Sequence, residues 1–273
     1  MDKRIEQYIA HLKEDEKAKA TCEQYKRELK RFSSFCKDKE LSKETMLAYK
    51  EDLIAHYKTS SANAALVAIN GFLSFINKQE LRVKLFKLQR SVFLPQSREM
   101  TKEEYTRLIK TARKKNDERL ALLIETICST GIRVSEVQYI TTEALANGEA
   151  TIRMKGKTRK IFLPDRLIQR LKKYIQKKHI HNGPIFITRN GKPLDRSNIW
   201  KMMKALCKEA LVESTKVFPH SLRHLFARTF YAMDKDIAKL ADILGHSSIN
   251  TTRIYIMSTG VEHRKLINSL NLL

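Results

Sequence analysis

The stretch "FPHSLRHLFARTFYA", residues 218–232, makes two demands that pull against each other. Pro219 suits the first position of a helix, and Leu222, Leu225, Phe226, Thr229 and Phe230 recur at helical spacing as an inward stripe. His220, Arg223 and His224 then crowd the first turn as i, i+3 and i+4 neighbours, with Arg223 nearest the apolar stripe. A helix N-terminus exposes free N–H groups and a partial positive charge, so basic side chains there oppose the dipole. Two readings follow from this helix alone. One is a capping histidine beside a surface arginine; the other is a cluster stabilised by a bound anion, which a helix N-terminus favours.

Three other segments share this character. "STGIRVSEV" (129–137) puts Arg133 just past a glycine helix stop, with Glu136 three residues on and able to orient it. "LGHSS" (244–248) puts His246 directly after another glycine stop, and "INTTRIYI" (249–256) puts Tyr255 nine residues beyond that histidine. Singly, each has an ordinary explanation, such as a loop histidine or an amphipathic core tyrosine. Together they supply two guanidiniums, several imidazoles and a phenol, with no carboxylate cluster for Mg²⁺ and no glycine-rich phosphate loop.

The rest of the chain agrees with a polyanionic partner. Its 273 residues carry 53 Lys+Arg against 30 Asp+Glu, a formal charge of +23. Residues 1–100 contribute +6 and residues 101–273 contribute +17. Phosphate neutralisation with counterion release dominates nucleic-acid affinity, so the excess points to DNA or RNA without choosing between them. At 42% hydrophobic residues the chain can bury real cores. No apolar run nears the roughly 18 residues of a membrane span, and "MDKRIEQYIAHLKEDEK" lacks a signal-peptide core, so the expected location is cytoplasmic. Cys22, Cys36, Cys128 and Cys207 are scattered without CxxC or zinc spacing; they read as buried free thiols, with no metal site.

Residues 1–92 read as a helical domain. "KRIEQYIAHL" is expected to form a turn or two of amphipathic helix. "TCEQYKRELKRFSSFCKDK" is capped by Thr21 and aligns Tyr25, Leu29, Phe32, Phe35 and Cys36 on one face. "SKETMLAYKEDLIAHYK" opens at Ser42 and carries Met46, Leu47, Tyr49, Leu53 and Ile54. "SSANAALVAINGFLSFINKQ" is the most apolar helix, its aromatics read as core rather than as base-stacking platforms. The pattern breaks around Pro95, giving a linker at 93–100, and Thr101 with Glu103 and Glu104 restarts a capped helix. Residues 101–273 are mainly helical, with Gly131 as a stop and a further helix from Ser197. "EATIRMKGKTRKIFLP" changes period and reads as a β-hairpin turning at Gly156 with lysines at its tip.

"TGIRVSE", "HSLRH", "LGHSS" and "NTTRIY" stand in the order and spacing of the tyrosine recombinases, the phage-integrase and Xer-like family, which this sequence resembles over nearly its whole length. "KGKTRKIFLP" resembles the family's catalytic-lysine turn and is one residue shorter than it; Lys157 is favoured over Lys155 as the acting lysine. The resemblance implies a helical core-binding (SAM-like) N-terminal domain and an α+β catalytic domain ending in a C-terminal helix. It implies that Arg133 and Arg223 clamp a scissile phosphodiester, that His246 donates to it, and that His220 serves near the nucleophile. Tyr255 would attack, Lys157 would protonate the 5′-oxygen, and Glu136 and His224 would support them. No metal or other cofactor is implied. The implied partner is double-stranded DNA with paired half-sites, bound by a dimer and then a synaptic tetramer at the nucleoid. The C-terminal helix, with Val261, Leu266, Ile267, Leu270 and Leu273 as its stripe, would dock on a neighbouring protomer. A type IB topoisomerase and a silent DNA-binding regulator on the same fold are the alternatives; the regulator would be expected to lack the Tyr or an Arg, and neither is missing here.

Overall fold

The computed structural model describes residues 1–37, 39–87, 99–154, 157–256 and 267–270. It divides into two compact units, Met1–Arg90 and Ser91–Leu273. Most of the expected linker, residues 93–98, lies outside the described residues, as does the hairpin turn at Lys155 and Gly156.

The first unit is four helices, α1 (Asp2–Glu14), α2 (Lys19–Phe35), α3 (Lys43–His56) and α4 (Thr59–Phe75). Their common core includes Ile5, Leu29, Phe32, Met46, Tyr49, Leu53, Leu66 and Phe72. Three expectations need correction. The opening segment is a full helix of 13 residues rather than a turn or two, because Ile5, Tyr8, Ile9 and Leu12 all find a core to enter. The α2 helix starts at Lys19, so Thr21 lies inside its first turn and Ala18 occupies the cap without a side-chain bond. In α3 only the stripe of Met46, Tyr49 and Leu53 is buried, while Leu47 and Ile54 face solvent; Ser42 caps it by accepting from the Thr45 N–H at 3.2 Å.

The second unit is built around α6 (Glu118–Thr130), whose Leu120–Ile127 segment is buried throughout and packs against α5 (Lys102–Lys114), α8 (Asp165–Lys177) and α10 (Pro219–Met233). Thr101 and Glu104 close a capping box on α5. After α7 (Thr142–Asn147), β1 (Glu149–Met154) pairs antiparallel with β2 (Lys157–Phe162), with Ile152 opposite Arg159 and Met154 opposite Lys157. α9 (Arg196–Leu206) is capped by Asp195 and begins one residue before the expected start at Ser197. α11 (Ile237–Leu244) and α12 (Ile249–Ile256) lean on α10 around a small second core of Ala227, Leu240, Leu244 and Tyr255. This satellite core seats the candidate nucleophile.

All four cysteines are free, three buried and Cys128 half-buried. No helix among the described residues is long and apolar enough to cross a membrane.

Candidate active site

Two glycine stops bring distant segments together. Gly131 ends α6 in the left-handed region at φ 63°, where a Cβ would sit 2.5 Å from the Phe226 ring. Gly245 ends α11 at the same φ, and a Cβ there would meet the Arg159 side chain at 2.5 Å. Both positions need the backbone freedom and the missing side chain of glycine. The carbonyls that these stops leave free become acceptors for guanidiniums.

Arg223 is 1% exposed and is the largest fully buried side chain, which removes the surface-arginine reading of the α10 first turn. It donates to the Gly131 carbonyl, to the Leu244 carbonyl at 2.7 Å and to His246 Nε2 at 2.9 Å. Its Nε has no partner, and among the described residues no carboxylate pairs with it. Burial first, and then the neighbouring Arg133 charge, push its pKa down to about 10. Buried charge without a counterion is costly, and an anion in this pocket would offset that cost.

Arg133 donates to Glu136 Oε1 at 3.0 Å and to the Gly245 carbonyl at 3.0 Å, while its own N–H reaches Glu136 Oε2 at 3.0 Å. Glu136 is thus the orienting carboxylate expected from its spacing. Burial alone would raise its pKa, but Arg159, with the Arg133 side chain and N–H, outweighs this and holds it below the ordinary carboxylate range.

His246 Nδ1 lies 2.8 Å from Thr252 Oγ1, and Nε2 accepts from Arg223. That pattern assigns a neutral ring with its proton on Nδ1. The expected role as a donor to phosphate therefore requires Nε2 to give up the Arg223 contact and gain a proton. Tyr255, 9% exposed, is stacked on His224 at 4.2 Å between ring centroids, tilted against His246 at 5.1 Å, and faced by the Arg223 guanidinium at 5.7 Å. His224 supports the phenol ring by stacking, with no hydrogen bond needed. His220 keeps an edge in solvent; partial desolvation, followed by Arg223, Arg196 and Arg133, lowers its pKa.

The structure gathers Arg133, Glu136, Arg223, His224, His246 and Tyr255 in one connected set, with His220 on the rim. Lys157 opens β2, and its backbone register is all that is described of it. Two members escaped the sequence reading. Arg159 donates to Glu136 and to the Ile243 carbonyl at 3.1 Å, and its signal was a basic residue alternating with core Ile161. Thr252, one turn before Tyr255 on α12, is fully buried beneath His246. Among the described residues no three His, Cys, Asp or Glu are grouped so that they could hold a metal ion.

His224 and His246 are pushed down to about 4, in each case by burial first and then by neighbouring charge. Between that value and the ordinary 6.5 the unfolded chain binds more protons, so stability rises with pH through this window and is lost on acidification. Calorimetry should show the thermal midpoint falling from about pH 7 to about pH 5, above the main carboxylate range, with a shallower fall in His224→Phe. A flat profile would contradict a neutral pair.

The whole chain has relatives. A model of the phage integrase family matches residues 98–260, and one of the phage integrase N-terminal SAM-like domain matches residues 5–80. The tyrosine recombinase XerD of Staphylococcus saprophyticus is 30% identical, with 99% of each chain covered. The tyrosine recombinase XerA of Pyrococcus furiosus is 30% identical over 80% of this chain and 76% of its own. Among solved structures, XerH recombinase bound to difH substrate is similar with a TM-score of 0.64 at 25% identity, over 83% of this chain and 69% of that one. A lambda integrase dimer bound to a COC′ core site shares the fold with a TM-score of 0.75 at 16% identity, over 95% of this chain and 96% of that one. With both of its units matched and relatives aligned nearly end to end, the chain belongs to the phage integrase family of tyrosine recombinases.

Proposed function

We propose that this recombinase cuts and rejoins DNA strands through a 3′-phosphotyrosyl intermediate on Tyr255. The observation that carries the reading is the buried Arg223 guanidinium, held beside Arg133 and against the Tyr255 ring with no carboxylate partner among the described residues. A phosphodiester supplies the missing negative charge, and the planar guanidinium forks suit its non-bridging oxygens and the added charge of the pentavalent transition state. The Tyr255 oxygen attacks phosphorus, and the bond to the 5′-oxygen breaks. The phenol proton passes to a neutral imidazole, which we assign to His220, and the 5′-oxygen takes a proton from the Lys157 ammonium. Ester energy is kept in the phosphotyrosyl bond, so a second strand's 5′-hydroxyl reverses the step without ATP or a metal ion.

The XerH and lambda integrase complexes, with difH substrate and with a dimer on a core site, support paired half-sites on duplex DNA as the substrate. Assembly through the C-terminal segment belongs to the same reading. Ile267 and Leu270 are 64% and 58% exposed in the single chain, so these two apolar side chains are left for a neighbour; Val261, Leu266 and Leu273 lie outside the described residues. A short amphipathic helix is marginal alone in water and gains stability by docking.

The test joins two different duplexes in excess EDTA. The full chain should ligate a cleaved half-site to a second duplex. A chain truncated after Gly260 should bind one half-site with near-normal affinity yet lose cooperative filling of the paired site and strand exchange. Cooperative filling by the truncated chain would end the docking in trans, and relaxation without joining would return the enzyme to topoisomerase-like chemistry.

A further inference from the structure

The geometry points to Arg159 as a positioning residue that locks the lysine hairpin onto the arginine clamp and so sets where the leaving-group acid stands. The inference rests on the reading of Lys157 as that acid. Arg159 belongs to β2, two residues beyond Lys157, a separation of about 7 Å along a strand. Its side chain crosses from the hairpin to two other pieces of the site. One nitrogen binds Glu136, the carboxylate that also holds Arg133, and another donates to the Ile243 carbonyl at 3.1 Å, next to the turn bearing His246. Its stem lies in the space that Gly245 leaves open, 2.5 Å from where a Cβ would be.

Charge neutrality does not explain it. Glu136 already has Arg133, through a side-chain bond and a backbone N–H. A second guanidinium leaves the buried group with excess positive charge, and burial is the first cause lowering the Arg159 pKa. Its Nε is buried without a partner. The cross-strand neighbour Ile152 and the same-strand Ile161 are both buried, so an apolar residue would continue their core at less electrostatic cost. What the arginine adds is a rigid, directional tie between the strand, the Arg133 turn and the His246 turn. Ala150, Ile152, Ile161 and Leu163 hold the base of this two-stranded hairpin in the main core, and Arg159 carries that hold closer to Lys157.

The test uses cleavage of two suicide half-sites, one with the ordinary 5′-oxygen and one with a bridging 5′-sulfur that leaves without a proton. Arg159→Met should slow the oxygen substrate by about 100-fold, the low end of general-acid contributions, and the sulfur substrate should recover to within about three-fold of the unaltered chain. Half-site affinity and the thermal midpoint control for folding. Arg159→Lys, which keeps a charge for Glu136 but cannot bridge to Ile243, should show a smaller loss with the same recovery, and it carries the test if Arg159→Met does not fold. Lys157→Ala is run alongside. Recovery for the Arg159 variants but not for Lys157→Ala moves the acid to another hairpin residue, Lys155 first, and leaves the positioning role standing. Equal slowing on both substrates, or no slowing at all, overturns the role whatever Lys157→Ala does.

Discussion

Tyr255→Phe should bind its half-site with unchanged affinity and form no covalent adduct. The substitution removes one oxygen and retains the ring, which is what packs on His224 at 4.2 Å and against His246 and the Arg223 guanidinium. The satellite core of Ala227, Leu240 and Leu244 also meets the ring, so the thermal midpoint should change little. The loss of cleavage should exceed about 10⁴-fold, equivalent to about 5.5 kcal/mol in the barrier, because no other group takes over the attack. A suicide substrate on a denaturing gel reads this directly. An adduct that persists would move the assignment to Tyr231, which borders the same core on α10 and carries Lys235 over its ring at 5.2 Å.

Arg223→Met should separate activity from stability. Removing a single donor to a developing oxyanion costs roughly 10²–10³ in rate, and a buried charged fork should cost at least that. Stability should fall too, by less than the number of lost bonds suggests. In the folded chain the charged form is disfavoured, its pKa pushed down to about 10 from the ordinary arginine value, which corresponds to about 3 kcal/mol relative to the unfolded chain. Losing that penalty offsets only part of the hydrogen bonds to the Gly131 and Leu244 carbonyls and to His246, worth about 1.5–3 kcal/mol each for a charged donor. The unaltered chain, but not the variant, should then gain thermal stability when half-site DNA brings a phosphate to the pocket. A variant that unfolds readily yet cleaves normally when folded would mean that Arg223 is a structural tie and not part of the clamp.

Much of the site was legible because its residues sit at local punctuation. Arg133 follows the Gly131 stop, His246 follows the Gly245 stop, and His220, Arg223 and His224 occupy a helix start after Pro219. Helix stops and starts are written in one or two residues, so their positions survive without knowledge of the fold. The capped start of α5 at Thr101 and the presence of a β-hairpin were readable for the same reason. Arg159 was not, since a basic residue in a lysine-rich hairpin looks solvated until Glu136 and the Ile243 carbonyl arrive from elsewhere in the chain. The length of α1 was missed because its helix is stabilised by a core assembled from α2 and α4.

By itself the sequence determined the two-part helical organisation, the basic balance toward a polyanion and the set of side chains available for phosphate chemistry. The first two follow from composition and period, which are local properties, and the third from the resemblance of four short motifs to those of the tyrosine recombinases. Tertiary structure alone decided the condition of those side chains. It buried Arg223 with no carboxylate partner among the described residues, turned His246 toward Thr252 so that Nε2 accepts, and stacked Tyr255 on His224. The reason is that charge state and hydrogen-bond role depend on which atoms exclude water from a group. Here those atoms come from α6, α10, α11, α12 and the hairpin, segments up to 112 residues apart along the chain.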